Sequence, residues 1–418
     1  MADDTVTEQS GRRPPAGTGR LRRRAFGGCS AVLALAALVL AGCGTVSVPQ
    51  PEQPQQPAAQ PVGQAQRITD RLGRAEEPGA VKVALLVPLS GRGSEIGPAL
   101  QNAAEMAVLE VGARSFELLP RDTGGTAQGA AAAARAVLEE GADLIIGPLF
   151  SESVRPVGQA AAAEGVNVIA FTTDASVAGG NVLVMGFVPA DQGDRVVGYG
   201  VSRGLNGYAL LAPGSPYGQT VGDALREATA RHGAELVAAE LYQSGGREFS
   251  APVERLAQQA DAIDAIMLPD AGLRLRTIAP LLPYYNMDTE QVMGTGLWDG
   301  QNVGIEPALI GAWFAAPDPD LRAEFVADYR ANFGQAPPRL ATLAYDAVSL
   351  AAFLAQGRDG EPYTLANLTD PSGFIGADGI FRFGPEGVAE RGLAVLEVTA
   401  DGARVIDPAP VSFAVAGF

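Results

Sequence analysis

The sequence predicts an α/β protein built as two doubly wound, Rossmann-like lobes with a hinge and an interlobe cleft. Three observations carry this. Short aliphatic runs alternate with helical stretches from Val81 almost to the C-terminus, the pattern of parallel sheets with helices on both faces. The alternation runs twice, with a second series opening near Asp191. The chain has 418 residues, 47% of them apolar and 52 of them Gly, enough for two lobes with closely packed helices.

In the first series, Val81–Pro88 is a buried strand, followed by Leu89-Ser90-Gly91 and a helix over about Pro98–Val111. Phe116–Leu119 is a strand running into Arg121-Asp122, a pair placed to form a local ion pair. Ala127–Glu140 is an Ala-rich helix, Asp143–Ile146 a strand, Ser153–Ala163 a helix and Val166–Phe171 a strand. The second series reads as helix Asp191–Arg203, strand Gly207–Leu211, helix Gly218–His232, strand Glu235–Leu241, helix Phe249–Ala260, strand Ile263–Leu268 and helix Leu273–Leu282. A crossing near Gly311–Phe314 precedes helices Asp320–Phe333 and Leu340–Ala355. Strands at Phe374–Ile375, Ile380–Phe383 and Leu393–Val398 end the chain. This places the first lobe at about 81–189 and 315–390, the second at about 190–314, and a tail, 391–418, crossing between them. Ligands of such sheets bind beyond the C-terminal strand ends, where loops meet helix N-termini.

Composition removes several function classes. The net charge is −17, and beyond residue 42 there are 24 basic against 44 acidic residues, which excludes nucleic acid as a partner. The two cysteines, Cys29 and Cys43, both precede the folded part, and His232 is the one histidine. No Cys-based metal site and no Cys–His dyad can form there, and no metal or cofactor is expected. His232 before Gly233 reads as an ordinary helix end. No G-x-S-x-G or G-x-x-x-x-G-K-[ST] motif occurs, so the chain is read as a non-enzyme.

The first 42 residues read as a signal peptide. Arg20, Arg22, Arg23 and Arg24 form its basic region, and Ala31–Ala41 is an apolar core too short to span a bilayer. Leu40-Ala41-Gly42-Cys43 resembles a bacterial lipobox, which implies lipidation of Cys43. Arg23-Arg24-Ala25-Phe26 also resembles a twin-arginine export signal. Gly44 rather than Asp after the cysteine implies the outer membrane, with the protein facing the periplasm. Residues 43–80 then read as a spacer. Pro49–Gln66, rich in Pro and Gln, is its extended part, reaching ~55 Å at ~3.1 Å per residue.

Four motifs in order, Val87-Pro88-Leu89-Ser90-Gly91, Ile145-Ile146-Gly147-Pro148-Leu149, Val168-Ile169-Ala170-Phe171-Thr172-Thr173 and Pro216-Tyr217-Gly218, resemble the type I periplasmic-binding-protein superfamily, leucine-binding branch. Within it, Leu119-Pro120-Arg121-Asp122-Thr123 and Thr172-Thr173-Asp174 are most similar to the lipoproteins known as penicillin-binding protein activators, and so to the C-terminal domain of LpoA. The helical-repeat domain that precedes it there has no counterpart here.

The resemblance implies a clamp for an amino-acid zwitterion, with hydroxyls and helix N-termini on the carboxylate and an acid and a Tyr on the amine. Ser151 and Tyr217 match that pattern. Asp174 stands where a carboxylate-binding Thr belongs, Gly296 where the amine-binding acid belongs, and Ala271 or Gly272 replaces an aromatic. Further ligand-binding candidates are Ser90, Thr172, Thr173, Asp270 and Trp298. The structural alternatives are helix caps for Ser90, Thr172 and Asp174, packing for Tyr217 and core burial for Trp298. Two functions follow from the resemblance. One is a regulator of peptidoglycan synthesis that binds a class A penicillin-binding protein. The other is a receptor delivering an amino acid or related solute to an ABC permease.

Overall fold

A computed structural model describes residues 66–67, 80–112, 116–357 and 360–413. The signal peptide, Cys43 and most of the Pro/Gln spacer lie outside the described residues. The strands are β1 Gln66–Arg67, β2 Val81–Val87, β3 Phe116–Asp122, β4 Leu144–Ile146, β5 Asn167–Ala170, β6 Val182–Val184, β7 Gly207–Pro213, β8 Glu235–Tyr242, β9 Ala265–Met267, β10 Gln291–Gly294, β11 Trp313–Ala316, β12 Phe374–Gly376, β13 Gly379–Phe383, β14 Ala389–Arg391, β15 Ala394–Thr399 and β16 Gly402–Asp407. The helices are α1 Gly97–Val111, α2 Ala127–Glu139, α3 Ser151–Ala163, α4 Pro189–Ser202, α5 Pro216–His232, α6 Ser250–Ala257, α7 Gly272–Ile278, α8 Leu281–Tyr284, α9 Pro319–Phe333, α10 Ala341–Gly357 and α11 Leu365–Leu368.

Lobe 1 is built on a parallel sheet of order β3-β2-β4-β5-β6. Its central strands are buried on both faces, which is why Val83–Val87 and Leu144–Ile146 are apolar without alternation. Small residues on α2 and α3 (Ala130, Ala134, Ala161) cover one face, and α1 and α10 the other. Lobe 2 has the order β16-β15-β11-β10-β9-β7-β8, parallel except where β15 runs against β11 and β16. The chain crosses between lobes three times: from β6 to α4, from β11 to α9 and from β14 to β15. Because α4 runs back along the sheet before β7, the C-terminal ends of both sheets lie at the hinge.

Several elements differ from the sequence reading. Pro280 divides the expected helix over Leu273–Leu282 into α7 and α8. Gln66 and Arg67, expected in the spacer, pair with Phe374 and Ile375 of β12 and so form the edge strand of the sheet β1-β12-β13-β14, on the side of β12 that β13 leaves open. Strands β6, β10, β14 and β16 carry too few residues, or too polar a run, to read as strands alone.

Candidate functional site

The lobe 1 wall of the cleft comes from the loops after β2, β4 and β5. Ser90 is exposed, but its Oγ donates to Asp122 Oδ2 at 2.5 Å. Asp122 Oδ1 also accepts the backbone N–H groups of Leu89, Ser90 and Gly124. Burial opposes ionisation of this carboxyl, but the hydrogen bonds from Ser90, Gly124 and Leu89 hold it below the usual range. Arg121 pairs with Glu140 instead of Asp122, which corrects the expected local ion pair, because successive strand residues point to opposite faces.

Ser151 opens α3 after the cis Gly147-Pro148 bond, and no side chain caps this helix. The half-buried Ser151 hydroxyl and the exposed Thr173 hydroxyl have no hydrogen-bond partner among the described residues. Thr172, 6% exposed, accepts from the Asp174 backbone N–H at 3.1 Å. Asp174 caps the turn 175–177 through Ser176. Its carboxylate is therefore used locally. Arg92 lies beside this wall, 4.0 Å above the Phe150 ring and paired with Glu152.

The lobe 2 wall comes from the loops after β7, β9 and β10. Ser215 caps α5, accepting from Gly218 N. The Tyr217 hydroxyl meets Thr295 Oγ1 at 2.9 Å, and burial pushes its pKa up to about 12 against the opposing bond from Thr295. Asp270 is 4% exposed and fully engaged: Tyr242 OH donates to it at 2.6 Å, Arg274 Nε at 2.8 Å and the Ala271 backbone N–H at 2.7 Å. Gly296 N donates to Gln192 Oε1 at 2.7 Å, and a Cβ at Gly296 would lie 3.2–3.3 Å from that amide. Trp298 stands in the lobe 2 core at 1% exposure; its indole N–H donates to the Asp270 carbonyl at 2.9 Å and its ring packs on Phe314. Its side chain is thus a core group, placed so closely over Gly294 that a Cβ there would overlap it.

The structure therefore brings Ser90, Ser151, Thr172 and Thr173 to the strand ends of lobe 1, and Tyr217, Asp270 and Trp298 to those of lobe 2. Sequence reasoning missed Asp122, Gln192 and Thr295, which organise these loops, and Arg339 and Asp299, which join the lobes. Asp122 carried one usable signal, an acid at a strand end followed by Thr-Gly-Gly. His232 ends α5 before a left-handed Gly233, as expected, and contacts Asp194 at 3.0 Å. No group of His, Cys, Asp and Glu among the described residues could hold a metal ion. No helix among them is long and apolar enough to cross a membrane.

Two doubly wound lobes, three crossings and polar loops at facing strand ends define the two-lobed binding proteins. Residues 80–403 match the family model described as periplasmic binding protein, and the chain belongs to that family, whose members are non-enzymatic receptors. A solved structure from Rhodospirillum rubrum, described as a branched-chain amino acid ABC transporter, is 22% identical with a TM-score of 0.70, over 78% of this chain and 100% of that one. An ABC transporter solute-binding protein from R. palustris, in complex with benzoate, is 20% identical with a TM-score of 0.59, over 81% of this chain and 99% of that one. Both likenesses show the fold. An uncharacterized protein of Rickettsia prowazekii is 22% identical over 221 residues, 51% of this chain; the match spans 59% of that protein's length.

Proposed function

We propose that the protein is an extracytoplasmic solute receptor of an ABC importer, held to the envelope by lipid on Cys43, and that its solute is an organic acid without an α-ammonium group. The observation that supports this is the difference between the two walls. Lobe 1 offers an uncapped helix N-terminus with the Ser151 and Thr173 hydroxyls, the donors a carboxylate needs. At the strand ends of lobe 2, Asp270 is taken by Tyr242 and Arg274, and position 296 is Gly, so neither position expected to hold an ammonium has a carboxylate to give it. A buried ammonium without a partner costs about 3–5 kcal/mol, enough to remove a micromolar site. The benzoate held by the R. palustris protein is an acid of this class. Calorimetry with benzoate, leucine, isoleucine and valine tests the reading. Micromolar binding of benzoate and none of the amino acids is expected; binding of an amino acid alone overturns it. Palmitate labelling of the wild type, lost in Cys43→Ser, checks the anchor.

The resemblance to penicillin-binding protein activators supports a second reading, in which the fold is a scaffold that stimulates a class A synthase. What favours it is the same internal use of lobe 2's polar groups, which leaves that wall little to offer a metabolite. Glycan polymerisation by the organism's own class A synthases, with and without the protein, separates the two. Ser151→Trp with Thr172→Trp would block a solute yet leave stimulation intact.

A further inference from the structure

Buried charges cluster where the three crossings meet, apart from the groups that line the cleft walls. Arg339 lies in the loop between α9 and α10. On the lobe 1 side, its NH1 donates to Asp378 Oδ2 and to Thr342 Oγ1, both at 3.0 Å, and its guanidinium lies 4.3 Å over the Phe187 ring. On the lobe 2 side, its Nε donates to Asp299 Oδ2. Asp299 follows β10 and the single turn 296–298, at the cleft end of the lobe 2 sheet. The Arg339 and Asp299 side chains are 14% and 15% exposed, and that of Asp378 is fully buried. Arg391 also lies over the Phe187 ring, 4.7 Å from its centroid, and its backbone N–H donates to Asp191 Oδ2 at the start of α4. Arg322 on α9 adds a further positive charge facing Arg339.

The partners of Arg339 are not equivalent. Asp378 and Thr342 belong to lobe 1 and Phe187 to the first crossing, whereas among the described residues Asp299 is the one acid of lobe 2 that pairs with Arg339. A rotation about the three crossings would carry the Asp299 loop away from α10 and leave Asp378 in place. Arg339 would then keep a buried counter-charge, while Asp299 would meet water. Breaking this contact therefore strands no bare charge inside lobe 1, so the contact can open and close without unfolding its surroundings. A pair this secluded is also weakly screened by salt, unlike a surface pair.

We infer that the Arg339–Asp299 pair is a reversible latch between the lobes, holding them in the approach seen here when no solute is bound. Phe187, in contact with both Arg339 and Arg391 and lying on the first crossing, ties the latch to the hinge. A latch of this kind raises the fraction of the protein in a solute-competent shape, and the apparent Kd falls in inverse proportion to that fraction. Only this consequence rests on the receptor reading; the latch itself is testable without a solute.

The test uses the full chain with Cys29→Ser and Cys43→Ser, spin-labelled through Arg155→Cys on the first turn of α3 and Gln219→Cys on the first turn of α5. Pulsed dipolar spectroscopy then measures the interlobe distance in solute-free protein. A single narrow distribution is expected with Asp299 in place. Asp299→Asn and Asp299→Ser should each lower the ratio of molecules at that distance to molecules at a longer one about tenfold, equivalent to ~1.4 kcal/mol, so that the longer distance appears beside the original. Asp299→Glu should restore the original distance. Circular dichroism melts confirm that each variant is folded. Folded Asn and Ser variants with the unchanged narrow distribution would overturn the latch, whatever solute the protein carries.

Discussion

In lobe 1, α3 begins at Ser151 with no side chain capping it; in lobe 2, α5 begins under Ser215, which caps it. The contrast extends along both walls. Ser151 and Thr173 keep their hydroxyls free among the described residues, while Tyr217, Thr295, Asp270 and the Gly296 N–H are bonded within lobe 2 or to Gln192 at its entry. Two sheets whose five parallel strands share one order thus present one wall ready to donate to an anion and one whose polar groups hold their own loops in shape. Satisfied buried polar networks rigidify a structure, and free donors at a helix start bind ligands. Substitutions in lobe 2 should accordingly harm stability, and those in lobe 1 should harm binding.

The largest effect is expected from Trp298→Ala, which removes a fully buried ring from the lobe 2 core and should cost about 3–5 kcal/mol in urea denaturation. A loss below 1 kcal/mol would mean that Trp298 is not part of that core. Next is Asp270→Ala, which leaves the Tyr242 hydroxyl and Arg274 without their acceptor. Because Arg274 is half exposed and can rehydrate, the loss should be about 2–3 kcal/mol. If it instead abolished solute binding at unchanged stability, the two walls would share the recognition.

A smaller effect concerns pH. Burial pushes Asp191, at the start of α4, up to about 7 from 3.8; the Arg391 backbone N–H opposes this and Glu390 adds to it. An acid whose folded pKa is raised binds its proton more tightly when folded. Its contribution to stability is therefore full below about pH 4 and declines as the pH rises to about 7. Asp346, raised by burial and by neighbouring Asp378, acts in the same direction. Melting temperatures across pH 4–8 should show Asp191→Asn with a shallower decline than the wild type. Parallel curves would show that Asp191 stays ionised. The smallest change in stability is expected from Ser151→Ala, within about 0.5 kcal/mol. If lobe 1 carries recognition, that variant should still weaken acid binding about tenfold in calorimetry.

Much of the fold was legible because its signals are local. The apolar run of β2, the helical spacing of α1 and the Gly233 stop of α5 each lie within one stretch of chain. Strand β6 has three residues and exists by pairing with β5, and β16 is a polar, half-exposed edge strand defined by β15. Neither carries enough pattern of its own. The site divides in the same way. Ser151 could be placed because it matches the hydroxyl that the resembling family carries after the third strand, a short distance along the chain from Gly147-Pro148. The bonds from Ser90 to Asp122, from Gly296 to Gln192 and from Arg339 to Asp299 join residues 32, 104 and 40 positions apart, and no spacing rule reaches them.

The sequence by itself determined the class of fold, the order of its longer elements and the absence of cysteine, and of more than one histidine, from the folded part, since periodicity and composition act over a few residues at a time. Tertiary structure alone decided which polar groups remain free. Whether Asp270 can meet a solute depends on Tyr242 and Arg274 reaching it first, and whether Arg339 is a lone charge or a link between lobes depends on Asp299 lying against it. A hydrogen-bonding group engages the partner that folding places within about 3 Å, and only the packed chain fixes that distance.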